Sequence, residues 1–406
     1  MESISRTTEM PIWRDSRAVA LLMAATLTVM ANATISPALP GLQQLFADDP
    51  HSALLTRLLV TAPSLSIALL APLAGLAVDR IGRRVLLLVG ILLFVAAGSA
   101  GMYLPDLPTI FLSRIALGIA VAFIMTAQTA LIGDYFTGEA RSTLTGLQIS
   151  ARNFGGLVFI LLAGVVAVVS PRWVFGVYGL ALLVLPIAWM AIVEPRRPAS
   201  VGRDASPSIF QDAAKKWQLP FFGLIALQSL TNMFFFIIPT QLPFFLEASG
   251  YSNAAVTGVA LGVLMLSGGS VALVYSRILR AIGYAGVYSA GFAGIASGFL
   301  LLMTSPTPLF TLAGAALIGA GYAAVSPTFV GLTLALAPPH RRGLAGGVLT
   351  ASVFIGQFIS PLLSTPVIGA AGYEGLFLAT AVLLGSMATI ALGAALLRAN
   401  QMWPFG

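Results

Sequence analysis

The chain has 406 residues, 58% of them hydrophobic and 9% charged, with a formal net charge of +7 and a mean hydropathy of +0.95. Roughly a quarter of an ordinary soluble domain is charged, so the composition excludes that class and points to an integral membrane protein. Cysteine is absent and the only two histidines, His51 and His340, fall in predicted loops, which removes disulfides, thiolate metal sites and a cysteine nucleophile.

The first 17 residues carry Glu2, Arg6, Glu9, Arg14, Asp15 and Arg17 with no small-residue cleavage site, and they read as a polar tail, not a cleaved signal. A hydrocarbon core of about 30 Å takes roughly 20 helical residues to cross. Runs of that kind follow at 18–40, 53–78, 85–104, 108–133, 142–169 and 173–193. The polar, proline-containing segment 194–218 comes next, then six more runs at 219–246, 254–276, 284–304, 308–336, 343–369 and 373–397, and a tail at 398–406. The fold class expected is all-α and membrane-embedded. Twelve transmembrane helices form two six-helix bundles, 18–193 and 219–397, joined by the linker 194–218.

An internal repeat supports that division. Shifting the chain by 201 positions superimposes Gly118 on Gly319, Arg141 on Arg342, Gly146 on Gly347 and Gly155 on Gly356. Parallel six-helix halves are a transporter design, with the substrate held near the midplane where the halves meet. Lys and Arg collect in cytoplasmic loops. With the N-terminus inside, only Arg57 and Arg172 lie toward the outer face, and the loops and tails holding the other basic residues lie inside. That bias explains the positive charge without nucleic-acid binding.

Residues 75–84 read Gly75-Leu76-Ala77-Val78-Asp79-Arg80-Ile81-Gly82-Arg83-Arg84. The stretch resembles the loop between helices 2 and 3 of the major facilitator superfamily and meets every defined position of its pattern. Helix 4 carries Arg114 and Gly118 at the spacing of an arginine followed four residues later by glycine, and Gly133-Asp134-Tyr135-Phe136 with Arg141 resembles the acidic-aromatic stretch that follows it. The resemblance covers essentially the whole chain, with its motifs in the first half. In the equivalent loop of the second half Gly283 is kept but Arg280 stands where the first half has Asp79.

The resemblance implies alternating access, with Gly75, Asp79, Arg80, Gly82, Arg83, Arg84, Asp134, Arg141, Arg114 and Gly118 in gating and conformational coupling. It implies that Asp79 meets the N-terminal end of helix 11, that Arg83 pairs with an acid such as Asp134, and that the Arg114 region has a coupling role. It is similar to the drug:proton antiporter branch, from which it departs in helix 5. There Arg152 occupies the place of that branch's proline, before the pair Gly155-Gly156, while helix 11 keeps Gly356-Gln357-Phe358-Ile359-Ser360-Pro361.

No Asp or Glu falls near the predicted midplane, so a midplane carboxylate is not available to carry a proton. Arg152 does fall there. It ends the stripe Arg141, Thr145, Gln148, Arg152, whose spacings of four, three and four share one helical face. Gln228, Asn232 and Phe235 on helix 7, Asn32 on helix 1, Gln128 on helix 4 and Gln357 on helix 11 complete the candidate substrate-binding set. No membrane-embedded His, Cys or paired carboxylate is present to act as nucleophile or acid–base group, and no metal or cofactor is implied. The function expected is a secondary transporter of a bacterial inner membrane, monomeric and not an enzyme, with both termini cytoplasmic, exporting small amphipathic compounds against protons as coupling ion. The alternative is an organic-anion carrier for a carboxylate or phosphate metabolite, acting by symport, uniport or exchange, which Arg152 favours because guanidinium pairs bidentately with such groups.

Overall fold

The computed structural model describes residues 14–195, 218–304, 307–338 and 342–401, apart from the side chains of a few helical positions, Asp79 among them. Most of the predicted linker, 196–217, and the ends of both tails lie outside the described residues. We label the spans α1 (Ser16–Leu45), α2 (Ser52–Ile81), α3 (Arg83–Ser99), α4 (Leu107–Tyr135), α5 (Gly138–Val169), α6 (Pro171–Ala191), α7 (Gln218–Ala248), α8 (254–282), α9 (284–304), α10 (Pro308–Leu336), α11 (342–371) and α12 (373–401). Among the described residues there is no β-strand.

Two of the apolar helices run continuously for 51 and 60 residues. At about 1.5 Å per residue each is more than twice the length a bilayer needs. Each is in fact two spans meeting without a loop, broken at Gly283 (φ 64°) and Gly372 (φ 69°). In the first half Gly82 (φ 106°) makes the same break between α2 and α3. A side chain strongly disfavours this backbone region, so glycine alone takes it cheaply.

Two spans expected as single helices are interrupted. In α1 the helix ends at Ala33, a 3₁₀ turn covers Ser36–Ala38 and the helix resumes over Leu39–Leu45. Pro37 and Pro40 have no N–H to continue the ladder. In α6, 3₁₀ turns at Pro171–Trp173 and Tyr178–Leu183 alternate with short α segments. Gly176 and Gly179 are weak helix formers, and Pro186 leaves the carbonyl four residues before it without a donor. Pro239, Pro243, Pro327 and Pro361, by contrast, stay inside continuous helices.

Within the first half α4 packs on α2 and α3, and α1 packs on α5; within the second α10 packs on α8 and α11 on α7. The halves meet along α2 with α11 and α5 with α8. Near-bare backbone makes the second seam possible. A β-carbon on Gly164 would lie 3.0 Å from the Cα of Gly258, and one on Gly258 would lie 2.9 Å from the Cα of Gly164. Small residues let helices approach closely in lipid, where water does not drive apolar association.

The described chain begins and ends on one face of the molecule, here the near face, and the opposite is the far face. Toward the far face α5 is well packed, with Ile160, Ala163 and Ala167 buried. At its near end Thr143, Thr145, Gly146, Leu147 and Ile149 are exposed over most of the helix circumference, with Leu144 and Gln148 buried on the remaining face. The halves are thus joined from mid-depth to the far face and parted toward the near face.

Candidate functional site

Three helices from both halves converge at mid-depth. Ser64 Oγ of α2 donates to Gln357 Oε1 of α11 at 2.8 Å, and Asn32 Nδ2 of α1 reaches the same oxygen at 3.3 Å and Ser64 Oγ at 3.4 Å. All three residues are buried, and Asn32 Oδ1 has no partner. An amide oxygen left bare in a membrane protein is costly, so this acceptor is free to take a donor from a ligand or water.

In the second half Tyr322 of α10 donates to Asn232 Oδ1 of α7 at 2.7 Å, and Asn232 Nδ2 donates to the carbonyl of Gln228 at 2.9 Å. The Tyr322 ring stacks on Phe235 with centroids 3.9 Å apart and planes 17° from parallel. Gln228 Oε1 is buried without a partner. Gln357, Asn32, Asn232, Gln228 and Phe235 therefore sit in two clusters, both bridging helices. Ser64 and Tyr322 belong to them and carried no distinguishing sequence signal; a lone Ser or Tyr in an apolar run is common.

Arg152 stands apart from both clusters. Phe154, Val158, Leu161 and Val165 mark the exposed, lipid side of α5, and at 100° per residue Arg152 points the opposite way. One turn toward the far face, Gly155 rests on Thr26 and Gly156 on Val29 of α1, with Met265 of α8 beyond. The guanidinium thus emerges just below the level at which α1, α5 and α8 close together. Gln148 is buried one turn nearer the near face. Arg152 is partly exposed, but its Nε is covered and has no partner, and among the described residues Arg152 forms no hydrogen bond or ion pair. A charge at that depth costs about 2.5–3.5 kcal/mol even on the lenient insertion scales.

Gln128 and Arg114 are turned away from the space between the halves. Gln128 is fully buried and donates to the carbonyl of Leu21 on α1. Arg114 is fully buried where α3, α4 and α6 meet, donating to the carbonyls of Ala97 (3.0 Å) and Gly98 and lying 5.0 and 4.8 Å from the ring centres of Phe175 and Tyr178. Carbonyl dipoles and ring faces stabilise the cation without a counter-charge.

On the far face Arg57 of α2 bridges the halves. Its Nε donates to Gln241 Oε1 of α7 at 2.9 Å, its Nη1 to Gln43 Oε1 of α1 at 3.0 Å, and its guanidinium carbon lies 3.8 Å from the ring centre of Phe244. Gln241 Nε2 passes the chain on to Ser364 Oγ (2.8 Å) and Thr365 Oγ1 (3.1 Å) of α11. Alongside, Gln44 Nε2 of α1 donates to Glu247 Oε1 of α7. A cleft of about 200 Å³ opens beside this latch, lined by Pro40, Gly41, Gln44, Pro243 and Glu247.

On the near face the charged loop is tied within the first half. Arg83 Nε lies 3.2 Å from Asp134 Oδ2 at the end of α4. The backbone N–H groups of Arg83 and Arg84 donate to the two carboxylate oxygens of Glu194 at 2.9 and 2.8 Å, so an acid caps the positive end of α3. Arg84 Nη2 donates to the carbonyl of Trp189 at 2.8 Å, and Tyr135 Oη to that of Val193. Arg80 and Arg141 are exposed at this face, with the Arg141 guanidinium beside Gly133; Gly75 faces open space. The side chains of Asp79 and of Arg342 at the start of α11 lie outside the described residues.

The motifs, the repeat and the two bundles converge on one family, and direct comparison bears this out. The profile of the Major Facilitator Superfamily matches residues 21–286 and 271–404. The chain belongs to that superfamily. The multidrug transporter protein MdtP of Bacillus subtilis (strain 168) is 22% identical to it, over 73% of this chain and 64% of its own length, so the chain spans less than two thirds of that relative. An uncharacterized MFS-type transporter of Burkholderia mallei (strain SAVP1) is 26% identical over 77% of this chain and 76% of its own. Among solved structures, a D-xylose-proton symporter matches with a TM-score of 0.74 at 18% identity, covering 96% of this chain and 97% of that one. The human organic anion transporter MFSD10 (TETRAN) matches with a TM-score of 0.67 at 18% identity, covering 94% and 100%. At such identities the two structures speak for the fold alone. This is a multi-pass membrane transporter of the superfamily, whose members are transporters and not enzymes.

Proposed function

We propose that the protein is a secondary active transporter that works by alternating access and exports small amphipathic compounds from a bacterial cytoplasm, driven by protons. The observation that carries this is the distribution of contacts between the halves. The hydrogen bonds of Gln357 with Asn32 and Ser64, of Gln241 with Arg57 and of Glu247 with Gln44 cross between the halves at mid-depth or on the far side. A carrier caught facing one compartment has this form. The near face carries most of the Lys and Arg, which supports its assignment as cytoplasmic, and the open side then faces the cytoplasm. Both halves line the closed end with amides, hydroxyls and aromatic rings, a surface suited to amphipathic molecules.

Reconstitution in liposomes tests the reading. Flux of a panel of fluorescent amphipaths is expected to be saturable and to quicken under an imposed pH gradient. Flux no greater than that of empty liposomes for the whole panel contradicts the carrier; saturable flux indifferent to the gradient removes the protons and leaves the carrier standing.

A further inference from the structure

We infer that Arg152 and Gln148 form an anion-binding site on the cavity wall of α5, and that the transported amphipath carries a carboxylate or a comparable oxyanion. The inference rests on the carrier reading above and narrows its substrate. Arg152 lies about 21 Å from the near end of α5 by helical rise, on the side opposite the lipid-exposed Phe154 and Val158. Its Nε is covered and unpartnered, and it forms no ion pair among the described residues.

The alternatives for compensating it are few. Asn153, its neighbour, is turned along the helix, with Nδ2 donating to the carbonyl of Ile149 at 3.0 Å. Arg114 shows how this chain holds a buried guanidinium, with Nη2 on the carbonyls of Ala97 and Gly98 and the group against the rings of Phe175 and Tyr178, although its Nε and Nη1 stay unpartnered; among the described residues Arg152 has neither the carbonyls nor the rings. The uncovered Nη ends of its planar fork match two oxygens of one carboxylate. Gln148, buried one turn away, adds an amide donor on the same face. At similar depth in the other half, the stacked Phe235–Tyr322 pair offers planar apolar surface.

The test uses the full chain in nanodiscs with three probes of one apolar body, 4-butylbenzoate, 4-butylbenzamide and 4-butylbenzylamine, with dissociation constants read by intrinsic fluorescence. The benzoate is expected to bind at least about 10-fold more tightly than the amide, the size of one charge-assisted hydrogen bond, and the amine least. Arg152→Gln should erase that preference while leaving amide affinity within about 3-fold, and Arg152→Lys should leave part of it. If Arg152→Gln does not fold, Arg152→Lys and Gln148→Leu carry the test, both with reduced benzoate preference. Equal binding of the three probes, no binding by any of them, or an unchanged preference in the variants overturns the inference. Charge-independent binding with intact liposome flux would remove the anion site without touching the carrier.

Discussion

Gly118 and Gly319 hold the same place in the two halves of the chain. A β-carbon on Gly118 would be driven into the carbonyl oxygen of Pro63 and to 2.7 Å from Ser66 Cβ, whereas one on Gly319 would be driven into the carbonyl oxygen of Leu264 and to 2.6 Å from Ser267 Oγ. Pro63 and Leu264, Ser66 and Ser267, and the two glycines are each 201 positions apart. The repeat is therefore kept at the level of the helix crossing, α4 on α2 and α10 on α8.

Because backbone cannot swing aside as a side chain can, Gly118→Val and Gly319→Val should each cost about 1–3 kcal/mol or more. Both should lower the midpoint of thermal unfolding in detergent by several degrees. Gly347→Val is the control, since a β-carbon there meets nothing within 4 Å. Similar midpoints for all three variants would show that the crossings do not limit stability.

The far-face latch should set the balance between the two facing states. Arg57→Ala removes the α2 end of the chain from Arg57 through Gln241 to Ser364 and Thr365, and Gly164→Leu wedges apart the crossing with Gly258. Either change should open the far face, raising the labelling rate by a membrane-impermeant maleimide of a single cysteine placed at Thr61, fully buried one turn deeper than Arg57 and outside the latch. The natural absence of cysteine makes the labelling specific. Labelling as slow as in the otherwise unchanged single-cysteine chain would mean the latch is not what holds that side shut.

On the near face, Glu194 accepts from the first two amides of α3. Glu194→Ala should cost about 1 kcal/mol, as the loss of a helix cap with its dipole term does, while Glu194→Gln should keep part of it. Asp134→Asn removes the charge facing Arg83 and should lower turnover more than stability, as should Asp79→Asn if its carboxylate helps hold this face shut in the opposite state. Transport at the wild-type rate in both Asn variants would show these acids to be markers of topology only.

Much of the architecture was legible in the sequence because hydrophobic length is enforced by the bilayer. The twelve spans follow from apolar length and the 201-residue repeat from matched residues, whereas the direct helix-to-helix breaks at Gly82, Gly283 and Gly372 emerge only in the structure, in the short turns between predicted spans. Partner choice was less legible. A polar residue inside an apolar run shows that it needs a partner but not which neighbour supplies it, so Gln128 and Gln357 look alike although one is turned onto α1 and the other bridges the halves. Arg57 was legible as a far-side charge and Arg152 as a deep one; that the first is fully engaged and the second bare depends on which helix faces meet. Glu194 looked like the edge of a linker, and only the return of α6 to the start of α3 brings it to its cap.

Proton coupling, if it draws on a carboxylate at the interface of the halves, should draw on Glu247. Among the described residues it is the acid that accepts a hydrogen bond from the opposite half, from Gln44, and Arg57 and Tyr373 are the charged and titratable groups that face it. Removing the charge exchanges a charge-assisted hydrogen bond for one about half as strong, so Glu247→Gln should also loosen the far face. Glu247→Gln is expected to transport with the pH gradient no longer affecting its rate. A gradient response equal to wild type would exclude this residue.

The central claim, that the halves rock about mid-depth, is tested most directly by distances between spin labels in the cysteine-free chain. One pair at Tyr103 and Leu309 reports the far face and another at Arg141 and Arg277 the near face; all four residues are exposed. Adding Arg57→Ala to each labelled chain should lengthen the first distance and shorten the second. Distances that stay fixed, or that lengthen together, would contradict alternating access by this molecule.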